Sequence, residues 1–232
     1  MALNAKALPK ETSKFKPADP LEAGSYPGRV VRIIDFGIQE QQPFKGQAKP
    51  PAHELDFTYE LSDEFMKDED GNDIEDKPRW VNESFTFNSL DKDLATSTKR
   101  YRALDPNDTC DGDFTKLIGA AGMISIIQKP SKDGTKIYNN VHGVASVRAK
   151  DEVRMPPLVN PPVVFMLDEP DLEIFNSFPE FIQTKIKKNL HYQGSALQKL
   201  LGGSTAAPKA KGGTVVAGEA ETATEEQPEG EW

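Results

Sequence analysis

At 232 residues the chain has room for one medium domain plus tails, or for two very small domains. Its hydrophobic fraction of 37% is low for a globular protein, and a net charge of −9 argues against a polyanion-binding surface spread over the whole molecule. A single cysteine, Cys110, excludes a disulfide framework and a thiolate metal cage.

The charge is unevenly placed. From Gly203 onward six Glu and two Lys give −4, which leaves −5 for the rest. His53, His142 and His191 show no metal-ligand spacing, so no cofactor or metal is expected. The absence of a long apolar run and of a signal-peptide segment leads to the expectation of a soluble, intracellular protein.

Residues 1–24 show little periodicity and read as an irregular N-terminal arm. The β-branched run GRVVRIIDF, 28–36, predicts a first strand. Gly and Pro punctuate 37–51, which predicts a loop. In 52–61, His53, Leu55, Phe57, Tyr59 and Leu61 share one face, with Glu54, Asp56, Thr58 and Glu60 opposite. That alternation makes Phe57 and Tyr59 core residues.

Residues 62–78 are charged and resemble a calcium loop only superficially. Gly71 is the fourth position from Asp68, where such a loop needs its glycine at the sixth, and no Glu closes it at the twelfth. A solvated excursion between two strands is expected instead. The following strand alternates Arg79, Val81, Glu83, Phe85 and Phe87 against Trp80, Asn82, Ser84 and Thr86. The first set carries the apolar weight, so Trp80 is left on the polar face.

A helix is expected over 90–104, capped by Asn88 or Ser89 and ended before Pro106. DFTKLIG predicts a second short helix from Asp113 to Gly119, MISIIQ a buried strand, and Lys132–Thr135 a hairpin turn. In the returning strand Ile137, Val141 and Ala145 are expected inward; Lys136, Tyr138, Asn140 and His142 are expected outward. A Pro-rich connection leads to a helical stripe of Ile174, Phe175, Phe178, Phe181, Ile182 and Ile186, interrupted at Pro179, with Lys185, Lys187 and Lys188 on the far face. SALQKLLGG adds a last short helix, and 202–232 is too weakly apolar to order itself.

The expected fold class is therefore mainly β with added helices. Five strands with one helix between the third and fourth make an OB-fold-like five-stranded barrel, with a C-terminal helical segment and a disordered tail. The folded domain would span 25–201.

No phosphate-binding glycine loop, Gly-x-Ser-x-Gly elbow or Cys–His couple is present, and Asp and Glu cluster in loops, so the protein reads as no enzyme. Single-stranded nucleic acid asks for exposed rings to stack on bases and cations to track phosphates. The stacking candidates are Trp80, Tyr138, Tyr101 and Phe44; the phosphate candidates are Arg29, Arg32, Arg79, Lys99, Arg100, Arg102, Lys136 and Arg148. For Lys99, Arg100 and Arg102 ordinary helix termination is an equal alternative. The acidic tail can mimic nucleic acid at high effective concentration, and Glu225, Glu226, Glu229, Glu231 and Trp232 form a candidate anchor for partner proteins.

GRVVRIIDFGIQ, KPPAHELDFTYEL, DEDGNDIEDKPRWVNESF, STKRYRALDP, DFTKLIG and DLEIF…FPEFIQTKI together resemble single-stranded DNA-binding proteins of tailed bacteriophages, over about residues 25–200. The resemblance implies an OB-fold core and roles in DNA replication, recombination and repair in the host cytoplasm. It also implies a tail that recruits replication proteins, although related tails usually end in Phe where this one ends in Trp232. The competing expectation, from another class, is a non-enzymatic adaptor that binds proteins through the sheet and tail.

Overall fold

The structure, a computed structural model, describes residues 19–202. Six strands form one sheet: β1 (Gly24–Phe44), β2 (Gln47–Lys67), β3 (Asp73–Thr86), β4 (Ala121–Pro130), β5 (Ile137–Ser146) and β6 (Val163–Phe165). The helices are α1 (Thr96–Leu104), α2 (Ala149–Glu152), α3 (Leu172–Ser177), α4 (Glu180–Lys187) and α5 (Ala196–Leu200), with a 3₁₀ turn at Phe114–Leu117. The protein is mainly β. No helix among the described residues is long and apolar enough to cross a membrane.

The hydrogen-bonded path runs β3-β2-β1-β4-β5, every pairing along it antiparallel, with β6 parallel to β1 at Arg32–Ile34. Five strands with α1 between β3 and β4 agree with the sequence expectation. The sheet is open: among the described residues no ladder joins its end strands, β3 and β5. The sixth strand lies within the expected Pro-rich connection, and its three residues are too few for alternation to reveal.

The expected loop at 37–51 is instead the outer half of a β1–β2 hairpin, closed by Phe44↔Gln47. Lys45 and Gly46 both have positive φ (50° and 81°), the backbone that a two-residue hairpin turn demands. The glycine and proline that suggest a loop sit at a register shift by Gly37 and on exposed outer positions, where a strand tolerates them. The excursion at 62–78 is likewise mostly strand. Asp68 turns it, its carboxylate accepting the amides of Asp70 and Asn72 at 2.9 and 2.8 Å.

Two cores flank the sheet. Phe57, Tyr59, Tyr101, Phe114, Leu117 and Ile124 belong to the first, with Phe57 edge-on to Phe85 at 5.2 Å. Ile34 and Phe36 face the other way, under Phe165, Phe175, Phe178, Ile182, Ile186 and Leu197. Phe57 and Tyr59 are buried as expected. Asp56, Thr58 and Glu60 are buried too, because the C-terminal segment lies over their face.

Helix α1 starts at Thr96, and neither Asn88 nor Ser89 caps it; Ser97 Oγ instead accepts the Asn88 amide at 3.1 Å. Asp113 caps the 3₁₀ turn by accepting from Thr115 N at 2.9 Å. In β5 a bulge opposite Ser125/Ile126 breaks the alternation. Val141 and Val144 pack inward, whereas Ile137 and Ala145 are exposed. Phe181 is exposed and Lys185 turns back onto the sheet, pairing with Glu54 at 2.8 Å.

Two measurements test these supports. Arg100 pairs with Glu83 at 2.6 Å with both side chains buried, so Arg100→Ala should cost about 3–5 kcal/mol in urea unfolding by stranding a carboxylate. His53 Nε2 lies 2.6 Å from Asp35 Oδ1, and that bond holds the imidazole above its ordinary value of 6.5. The stabilisation is complete below that value and lost as pH rises through the folded-state pKa. Thermal stability should fall with rising pH across this window, and His53→Gln should flatten the profile.

Candidate nucleic-acid interface

Trp80 stands opposite Glu60 in the β2–β3 ladder, on the polar face, and is 43% exposed. Its Nε1 donates to Glu60 Oε2 at 3.2 Å, which fixes one edge of the indole. Glu60 also accepts from Val159 N at 2.6 Å and Asn160 Nδ2 at 2.7 Å, so the carboxylate ties the C-terminal segment to the same place. The Arg32 guanidinium carbon lies 5.7 Å from the Trp80 ring centre and 5.8 Å from that of Phe178, a cation between two rings. Burial pulls the Arg32 pKa down against the opposing pull of Asp56.

Phe44 is 58% exposed at the β1–β2 tip, with Lys49 Nζ at 4.9 Å and Lys45 Nζ at 5.5 Å from its ring centre. Those lysines escape a reading of the flat sequence. Their signal is their position, Lys45 within the two-residue turn and Lys49 just beyond it, which only the hairpin register exposes. Tyr138, 53% exposed on β5, is paired with Lys129 across the ladder, and Lys136 is exposed at the same hairpin. Trp80, Phe44 and Tyr138 thus each keep an open ring with a cation nearby in space or register.

Several candidates serve the fold instead. Tyr101 is only 2% exposed, within the first core, so it offers no face for stacking. Its hydroxyl donates to Asp108 at 2.8 Å and accepts from Gly112 N at 2.6 Å, and burial pushes its pKa up to about 12. Arg100 grips Glu83 through Nε and Nη2 at 2.6 and 2.9 Å, the fork geometry of a bidentate pair. Arg29 spends its donors on the carbonyls of Gly119, Pro156 and Glu152. Arg79 binds the Asp19 carbonyl at 2.7 Å and so fastens the chain's entry.

The remaining cations are at the surface. Arg102 pairs with Asp93 at 2.8 Å and Arg148 with Asp151, both solvent-exposed ion pairs that a phosphate can compete for. Lys99 is exposed on α1. Glu225, Glu226, Glu229, Glu231 and Trp232 lie outside the described residues. Among those described, no group of three or more His, Cys, Asp or Glu is placed to hold a metal ion.

If the open rings are the contact surface, Trp80→Ala, Tyr138→Ala and Phe44→Ala should each weaken oligonucleotide binding by about 1–3 kcal/mol with melting little changed. Tyr101→Ala should instead lower the melting temperature. Affinities unchanged from that of the unsubstituted protein in all three ring variants, read by fluorescence anisotropy, would remove the rings from the interface.

No protein-family model matches the chain, and no curated protein matches it either.

Proposed function

We propose that this protein is a non-catalytic, sequence-independent binder of single-stranded DNA. The observation that carries the reading is the repeated pairing of an open ring with a cation, at Trp80 with Arg32 and at Phe44 with Lys45 and Lys49. Rings stack on any base, and cations follow the phosphates whatever the sequence. The strand order β3-β2-β1-β4-β5, with α1 between β3 and β4, is that of an OB-fold barrel in which β3 and β5 would meet. The resemblance noted above supports action in bacteriophage DNA replication, recombination and repair, within the host cytoplasm. In this reading the acidic tail competes with DNA for the cations and, once displaced, recruits replication proteins through Glu225, Glu226, Glu229, Glu231 and Trp232.

The test is a titration of intrinsic tryptophan fluorescence with oligo-dT at low and high salt. Quenching that weakens steeply as salt rises is expected, since each neutralised phosphate releases counterions. No quenching and no gel shift at low salt would sink the proposal. Removing 203–232 should tighten binding; looser binding would refute the competing tail.

A further inference from the structure

The end strands of the sheet face one another across an open cleft of about 520 Å³, lined from β3 by residues 82–86 and from β5 by Asn140, Val141 and His142. Because each pairing from β3 through β5 is antiparallel, β3 and β5 run in the same direction. Their exposed side chains form two matching rows. Trp80, Asn82 and Ser84 follow one another on β3; Tyr138, Asn140 and His142 follow one another on β5. Each row begins with an open ring and continues with an amide.

The cleft is unsuited to phosphate. Arg100 enters it from α1, but its Nε and Nη2 donate to the two oxygens of the Glu83 carboxylate, and Nη2 also reaches the His142 carbonyl at 3.4 Å. That pair contributes no net charge. The rest of the polar lining is dominated by neutral amides and hydroxyls, which both donate and accept hydrogen bonds. Ser84 and Asn82 are steadied from beneath by Asp56 Oδ2, at 2.7 and 3.4 Å. A neutral ligand edge carrying donors and acceptors side by side fits this chemistry, and the Watson–Crick edge of an unpaired base is such an edge.

We propose that the β3–β5 cleft takes the edges of unstacked nucleobases from a single strand whose neighbouring bases lie on Trp80 and Tyr138. Alternate residues of a strand are spaced by roughly 6.8 Å, about twice the rise per nucleotide of stacked DNA, so an extended strand can keep step with the row. Amides and hydroxyls that give and accept equally make the cleft tolerant of base identity. The inference rests on the single-strand reading above and adds a base-edge site to its stacking and phosphate contacts.

The test compares oligo-dT with an abasic oligonucleotide of equal length, using the full chain and the variants Asn140→Ala and Asn82→Ala/Asn140→Ala. The double variant should bind oligo-dT roughly tenfold more weakly and the abasic strand with unchanged affinity. Asn140→Ala alone, at an exposed position away from Asp56, should show the same selectivity in smaller degree, which guards against a folding defect in the double variant. Unchanged oligo-dT affinity in both variants, or equal losses on both strands, would overturn the base-edge site while leaving stacking and phosphate binding in place. Failure of the unsubstituted protein to bind either strand at low salt would overturn the single-strand reading, and this site with it.

Discussion

The pairing of Arg100 with Glu83 is the contact on which the open sheet depends. Glu83 sits on β3, faces the first core, and also accepts the Tyr59 hydroxyl from β2 at 2.8 Å. Arg100 comes from α1 and reaches the β5 carbonyl of His142. One buried ion pair thus joins β2, β3, β5 and the helix at the point where no ladder closes the sheet. A charge buried at such a seam is tolerated only while its partner stays, so the geometry of the seam is sharply specified.

The same economy governs the other cations. In a chain of net charge −9, the 28 Lys and Arg are outnumbered by 37 Asp and Glu, and the structure commits Arg29, Arg79 and Arg100 to carbonyls and carboxylates of the fold. The exposed cations include lysines at the hairpins and on α1, with Arg102 and Arg148 in surface ion pairs. The candidate surface is consequently a scatter of ring-and-cation pairs at strand faces and hairpin tips. Aromatic contact carries a larger share of such an interface than a dense basic patch would require.

Alternation was a reliable guide where strands were regular. Phe57, Tyr59, Val81 and Phe85 face the first core, and Trp80 stays on the polar side, because period-two geometry leaves no other arrangement. It failed at the β5 bulge, where one extra residue shifts parity after Val141, and at the hairpin arm, where proline on an outer strand looks like loop. Exposure was legible for Trp80, Tyr138 and Phe44. It was misread for Tyr101 and Arg100, since a helix only nine residues long turns its Tyr and one Arg into the core, whereas the local run of charge suggests a solvated end. Buried arginine is uncommon, and the partners that hold this one, the Glu83 carboxylate on β3 and the His142 carbonyl on β5, come from distant strands.

The place of β1 in the sheet bears on how the chain reaches this structure. β1 pairs with β2, and β2 with β3, as a local meander, but the pairing of β1 with β4 joins residues about a hundred positions apart, and β6 must return from farther still to cover the edge at Arg32–Ile34. Loop closure of that length slows folding. Until the C-terminal segment arrives, Ile34 and Phe36 form an uncovered apolar strip on a sheet with a free edge, the form most prone to pair with another chain. During synthesis that edge is the last to be sealed, so partly made chains carry it exposed, where it favours association between chains.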